Sequence, residues 1–211
     1  FSKKHAFHDW RWFAKYFFKT RTVDWYSSIF ELGNSKRKGD ITPAYSTLKL
    51  SEVAYVKSLL PYAKIIFLMR NPIDRAWSSI RMALRRKKGN LDTDIESFTL
   101  KKINSPGIIS RGNYLLTLKN WQSYYPSEYL FIGFFEELAE CPEDLLLRLY
   151  KFLGVSSSPK FIHTEVRRNV NPGVEVYIPP KIAIHLASMY YNAIKELNKL
   201  CGGYTKNWLE N

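Results

Sequence analysis

The segment Lys64 to Arg81, KIIFLMRNPIDRAWSSIR, holds the residues best suited to chemistry. Arg70 follows a short apolar run, Asn71-Pro72 makes a turn, and Ser78 lies about two turns into the helix that should follow. Arginine offers a planar fork of donors and serine a single adaptable hydroxyl, so the two can converge on one phosphate. From spacing alone, an ordinary strand–turn–helix with a surface arginine and serine is the simpler reading. His5 and His8 have the spacing of two metal ligands, but two ligands are not a site. Arg81, Arg85, Arg86, Lys87 and Lys88 form a basic helix end that either steers an acidic molecule or is a solvated face. His163 and His185 have no partner in sequence, and Cys141 and Cys201 have no thiol-activating context.

The elements that must position Arg70 and Ser78 are legible. Lys64 to Met69 is a continuous apolar run, which predicts a strand buried on both faces of a parallel sheet. In open α/β sheets, ligands bind outside the carboxyl ends of the strands, which is where Arg70 falls. The next helix puts Ile73, Trp77, Ile80 and Leu84 on one stripe and Ser78, Arg81 and Arg85 on the other. Upstream, Ser51 can cap a helix with Val53, Val56 and Leu60 on one face, stopped by Pro61. Downstream, the spacing predicts a helix from Gly112 to Tyr125, with Tyr114, Leu118, Trp121 and Tyr125 in register, and a second buried strand from Tyr129 to Phe134. Pro142, Glu143 and Asp144 open a helix that Gly154 closes. Pro180 to Leu200 reads as a long final helix with Ile182, Leu186, Met189, Ala193 and Leu197 inward, ended by Gly202-Gly203. Alternating helices and buried strands predict an α/β fold with a parallel sheet.

Composition bounds the rest. The chain has 211 residues, is 45% hydrophobic and 16% aromatic, and so has material for one core. Two cysteines exclude a disulfide framework and a cysteine zinc site. No apolar run approaches the roughly 20 residues that cross a bilayer, so no integral membrane segment is expected. A formal charge of +13 fits either a lysine-rich solvated surface or a partner with several negative charges. Aromatics crowd residues 1–30 (among them Phe7, Trp10, Trp12, Phe13, Tyr16, Phe17, Phe18, Trp25, Tyr26 and Phe30), a density more typical of a core or pocket wall than of a base-stacking platform.

Arg70-Asn71-Pro72-Ile73-Asp74-Arg75-Ala76-Trp77-Ser78 resembles the R-[DN]-P-x-x-R-A-x-S motif of sulfotransferases that use 3′-phosphoadenosine 5′-phosphosulfate, PAPS. Four further segments resemble that family in the same order: Asp24-Trp25-Tyr26; Gly39 to Tyr45, with Asp40 in place of a glutamate; the Gly112-x-Tyr114-x-x-x-Leu118-x-x-Trp121 helix; and the strand, E-x-L loop and helix from Tyr129 to Gly154. The likeness is greatest to the bacterial and heparan-sulfate types. It implies a P-loop-NTPase-like parallel sheet flanked by helices, of sulfotransferase type. It also implies an enzyme moving a sulfuryl group from PAPS to a hydroxyl or amine acceptor (a glycan, lipid alcohol or other small molecule, possibly acidic), with adenosine 3′,5′-bisphosphate as product and no metal. Arg70 and Ser78 inherit the 3′-phosphate. Arg167 and Arg168 sit where the family has a late basic loop over the nucleotide; a basic surface loop is the alternative. Arg111 can add to the anion site or be surface. Asp40 either faces the acceptor or caps the Thr42–Pro43 turn.

The family's K-x-G-T-T-x-L loop and its K-E-x-H-[FY]-F segment, which carries the usual base, are not found in these residues, and Ile41 stands at a family lysine. If Phe1 is the last residue of that second segment, residues 1–211 are a single sulfotransferase domain lacking its first βα unit. Alternatively Lys3 to His8 is a degenerate copy with His5 or His8 as base. Two other functions compete. A P-loop small-molecule kinase needs G-x-x-x-x-G-K-[ST], which the chain lacks. A basic nucleic-acid-binding module needs an RNP, KH or helix-turn-helix pattern, and none is visible; no nucleic acid partner is expected.

Overall fold

Threonine, proline and glycine punctuate the N-terminal part of the chain, whose described structure is one short helix and turns. The computed structural model describes residues 20–33, 35–86, 95–169 and 177–209. Contacts divide the chain into two units, Phe1–Pro43 and Ala44–Asn211. In the first, helix α1 spans Val23–Ser28, and the Thr22 hydroxyl caps it by accepting from the Trp25 N–H at 3.1 Å. A single 3₁₀ turn, Glu31–Gly33, follows. Tyr26 and Phe30 meet edge to face at 5.1 Å. The predicted aromatic cluster from Phe7 to Phe18 lies outside the described residues, as do His5 and His8.

The second unit builds the strand-and-helix frame. Helix α2 runs Leu50–Leu59; it starts at a turn where Glu52 accepts from the Lys49 N–H at 2.7 Å rather than at Ser51. Val53 is fully buried, but Leu60 falls just past the helix and is exposed. Strand β1, Ile65–Met69, leads into α3, Pro72–Arg86. Asn71 starts α3: its side-chain oxygen accepts from the Ile73 N–H at 3.0 Å, its carbonyl accepts from Arg75 at 2.9 Å, and Pro72 supplies the first turn. Of the predicted stripe, Trp77 and Ile80 are buried and Ile73 and Leu84 pack partly buried against the core; Ala76 is buried with them. Helices α4, Ile95–Ile103, and α5, Pro106–Gly112, carry no prior sequence reading.

The helix predicted from Gly112 to Tyr125 is two helices meeting at a corner. Gly112 is the last residue of α5, and Asn113 (φ −84°, ψ 68°) breaks the run and caps α6, Tyr114–Gln122, by accepting from Leu116. Gly112 is required there by close approach: a Cβ would sit 2.5 Å from the Tyr190 hydroxyl. The stripe Tyr114, Leu118, Trp121 and Tyr125 is buried as expected.

Strand β2, Leu130–Phe134, pairs with β1 in parallel, Ile65 opposite Leu130 and Met69 opposite Phe134. Two-sided burial of these strands is not observed. Ile66 and Leu68 are 40% and 45% exposed, while Met69 is fully buried. Among the described residues β1 has β2 as its one sheet neighbour, and Phe67, Met69, Ile132 and Phe134 pack into the main core on one face. An uninterrupted apolar run therefore does not by itself report two covered faces.

Helix α7, Phe135–Glu140, follows β2 without a loop; α8 is Pro142–Leu153, closed by Gly154 at φ 70°. Helix α9, Pro180–Leu200, buries Ile182, Leu186, Tyr190, Ile194 and Leu197, packing against α3 and α6. The inward positions centre on Tyr190 and Ile194; Met189 and Ala193 flank them half-buried.

Candidate functional site

Arg70 is the first residue past β1, at the carboxyl end of a parallel pair. Its side chain is 34% exposed. The guanidinium lies over the ring of Phe135, 4.6 Å from the centroid, a cation–π arrangement that orients the fork. Phe135 gets there by register: Met69 pairs with Phe134, so the residues that leave the two strands, Arg70 and Phe135, emerge side by side. One Nη of Arg70 stands 3.9 Å from Asp74, a long contact between partly exposed groups. Its Nε is buried and has no hydrogen-bond partner among the described residues. A desolvated, unmatched donor on a cation costs free energy unless an acceptor arrives, and an anion is the acceptor that suits it.

Asp74, Ser78, Arg81 and Arg85 recur along α3 at helical spacing, on the face opposite Ala76 and Ile80. Ser78, half-buried, is thus one turn beyond Asp74 on the same face of α3.

The backbone beneath Arg70 is tied down from a distance. The Tyr114 hydroxyl donates to the Arg70 carbonyl at 2.8 Å. Burial pushes the Tyr114 phenol up to about 12, opposed by the neighbouring Arg75 guanidinium. Arg75 in turn donates to the Ile108 carbonyl at 2.8 Å, which also accepts from the Tyr190 hydroxyl at 3.3 Å. Tyr190 is likewise raised by burial. Beside Phe135, the buried Glu137 accepts from the Phe134 N–H at 2.9 Å and pairs with Arg148 at 2.7 Å, and Glu136 accepts from the Trp208 indole at 2.9 Å. The segment read as an E-x-L loop is thus the helix α7, whose Glu137 pins the end of β2 while Glu136 holds Trp208.

The other sequence candidates are elsewhere or engaged. Arg167 donates twice to Glu143 of α8, at 2.8 and 2.7 Å, and Arg168 pairs with Glu165 at 2.6 Å; both arginines are well exposed. Asp40 accepts from Thr42 at 3.2 Å and from Tyr26 at 3.4 Å, so the turn contact weighed in the sequence is present. It belongs to the first unit. Arg111 is exposed at the end of α5. Among the described residues no group of His, Cys, Asp or Glu is placed to hold a metal, and no helix is long and apolar enough to cross a membrane. Sequence reasoning missed Phe135 and the Tyr114 tether. The first follows from strand register and the second from helix-to-strand packing, neither of which is local.

The parallel pair and the helices packed on it define an α/β protein. The chain belongs to the sulfotransferase domain family, whose pattern it matches over residues 14–171. It is 27% identical over 157 residues to the human bifunctional heparan sulfate N-deacetylase/N-sulfotransferase 2, covering 67% of this chain and 17% of that protein. A Caenorhabditis elegans bifunctional heparan sulfate N-deacetylase/N-sulfotransferase 1 is 26% identical over 159 residues, 72% of this chain and 18% of its own length. The chain thus spans about a sixth of the curated relatives it matches. In fold it is similar to the crystal structure of a sulfotransferase from Alicyclobacillus acidocaldarius, with a TM-score of 0.68 and 21% identity, over 92% of this chain and 77% of that one. The fold is accordingly the helix-rich α/β sulfotransferase type.

Proposed function

We propose that this chain is the sulfuryl-transfer domain of a PAPS-dependent sulfotransferase, with Arg70 and Ser78 holding the 3′-phosphate of the donor. The observation that carries the reading is Arg70: a strand-end guanidinium, oriented by Phe135, whose buried Nε lacks an acceptor. Ser78 on the same side of α3 adds a hydroxyl that can reach the same group. PAPS supplies an activated sulfuryl group on a phosphate leaving group. What this chain's residues contribute is binding and orientation. A fixed guanidinium anchors the nucleotide so that the distant sulfuryl is held in line for attack. Because Arg70 grips donor and transition state alike, its binding energy sets position rather than speed.

Asp40 and His5 remain the candidates for proton abstraction from the acceptor, and Arg167 and Arg168 for a second grip on the nucleotide. The acceptor class supported first is an amine or hydroxyl on an acidic glycan, since the matched relatives are named for N-sulfation of heparan sulfate and the chain carries a net charge of +13. No metal is called for.

The test is binding of adenosine 3′,5′-bisphosphate and adenosine 5′-phosphate to the native chain and to Arg70→Ala. The substitution should weaken the bisphosphate by about 1.5–3 kcal/mol, the worth of a hydrogen bond to a charged group, and leave the monophosphate nearly unchanged. Equal losses for both nucleotides would remove the 3′-phosphate assignment. Thermal shifts with ATP and an oligonucleotide in parallel distinguish the kinase and nucleic-acid readings.

A further inference from the structure

Arg70 cannot be held by its own strand, because it lies one residue beyond the last β1–β2 pair. Its carbonyl has left the ladder and still needs a donor. The donor is Tyr114, 44 residues away, at 2.8 Å. The phenol is fixed in turn: it is only 4% exposed, its ring meets Phe67 edge to face at 5.6 Å and Trp208 at 6.4 Å, and Asn113 starts its helix one residue earlier. The Arg75–Ile108–Tyr190 contacts brace the α5–α6 corner from which Tyr114 projects.

We propose that the Tyr114 hydroxyl is a positioning residue for the anion site: by holding the Arg70 carbonyl, it sets the direction in which the Arg70 guanidinium leaves the sheet, over Phe135 and toward the face of α3 that carries Ser78. The inference rests on the 3′-phosphate reading above and adds a residue that touches no part of the ligand. Without the tether, the Arg70 backbone can rotate about the turn, and the fork no longer meets a planar anion with two donors at once.

The experiment compares Tyr114→Phe, Arg70→Ala and Val53→Ala in the native chain, by calorimetric titration with adenosine 3′,5′-bisphosphate and adenosine 5′-phosphate. Tyr114→Phe removes one oxygen and keeps the ring packing. It should shrink the preference for the 3′-phosphorylated nucleotide by about 3- to 10-fold, the loss of one hydrogen bond's worth of orientation, with monophosphate affinity held within about 2-fold. Val53→Ala loosens a fully buried position in the neighbouring Trp121–Tyr125 cluster, away from Tyr114 and Arg70, so it should lower the unfolding midpoint and leave the preference intact. A preference unchanged in Tyr114→Phe but abolished in Arg70→Ala overturns the tether and leaves the 3′-phosphate site standing. A preference that survives Arg70→Ala overturns the site and the tether with it. Equal erosion by Tyr114→Phe and Val53→Ala shows a packing role only, and also overturns the proposal.

Discussion

Two arginine regions in this molecule were legible as anion sites, and they are built in opposite ways. At Arg70 the backbone is held by a buried hydroxyl, the guanidinium rests on an aromatic ring, and one donor has no acceptor. At Arg167 the side chain is 63% exposed, and its Nε and one Nη both donate to Glu143. The first keeps a buried donor unmatched, and the second is exposed and paired. On the proposed reading, a phosphate arriving at Arg70 would supply the missing acceptor. At Arg167 it must first displace a carboxylate, so only the difference between two charge-assisted bonds remains.

The sharpest way to break the first region is alkali. Tyr114 is buried with its phenol raised to about 12, against an ordinary 10. Below pH 10 both folded and unfolded forms are neutral and the full stability is present. Above pH 10 the unfolded chain ionises and the folded one does not, so stability falls, by about 1.4 kcal/mol at pH 11 and about 3 kcal/mol once pH passes 12. Urea midpoints at pH 9, 10 and 11 should show a steeper alkaline decline in the native chain than in Tyr114→Phe. Tyr190, raised in the same direction, keeps a residual slope in the variant. Arg167→Ala should leave the decline unchanged; a parallel decline in native chain and Tyr114→Phe would show that the phenol is not the titrating group.

The frame of the first region was readable because it is local. An apolar run, Asn71-Pro72 and the Ile73–Leu84 stripe lie within about twenty residues, and helical periodicity then puts Ser78 on the open face. What was not readable depends on pairing. Phe135 meets Arg70 only because β2 pairs with β1 in a particular register, and Tyr114 meets Arg70 only because α5 and α6 turn a corner at Asn113. The same corner defeated the reading of one helix from Gly112, since the apolar stripe continues across it. The exposure of Ile66 and Leu68 was equally hidden, because apolarity does not say how many layers cover a strand. Ser78→Ala sharpens the local part of the comparison: it should cost the bisphosphate roughly 1 kcal/mol, less than Arg70→Ala, and the monophosphate nothing measurable. A loss larger than that of Arg70→Ala would make the helix, rather than the strand end, the principal anchor.

The smallest effects belong to the second region. The Arg167–Glu143 pair is bidentate but exposed, so solvent screening limits its worth to roughly 0.2–1 kcal/mol of stability, fading as salt is raised. Glu143→Gln should lower the unfolding midpoint slightly at low salt and not at high salt. Its effect on the nucleotide has the opposite sign. If Arg167 contributes to the anion, freeing it from the carboxylate removes a competitor, and the bisphosphate should bind more tightly by a few tenths of a kcal/mol. Arg167→Ala should then weaken binding by no more than about 1 kcal/mol, well short of Arg70→Ala. Titration of the two single variants and the double variant separates the cases: a gain in Glu143→Gln that disappears in the double variant places Arg167 on the nucleotide. A loss in Glu143→Gln means that the ion pair itself, by tying the 3₁₀ turn Thr164–Arg167 to α8, is what the site requires.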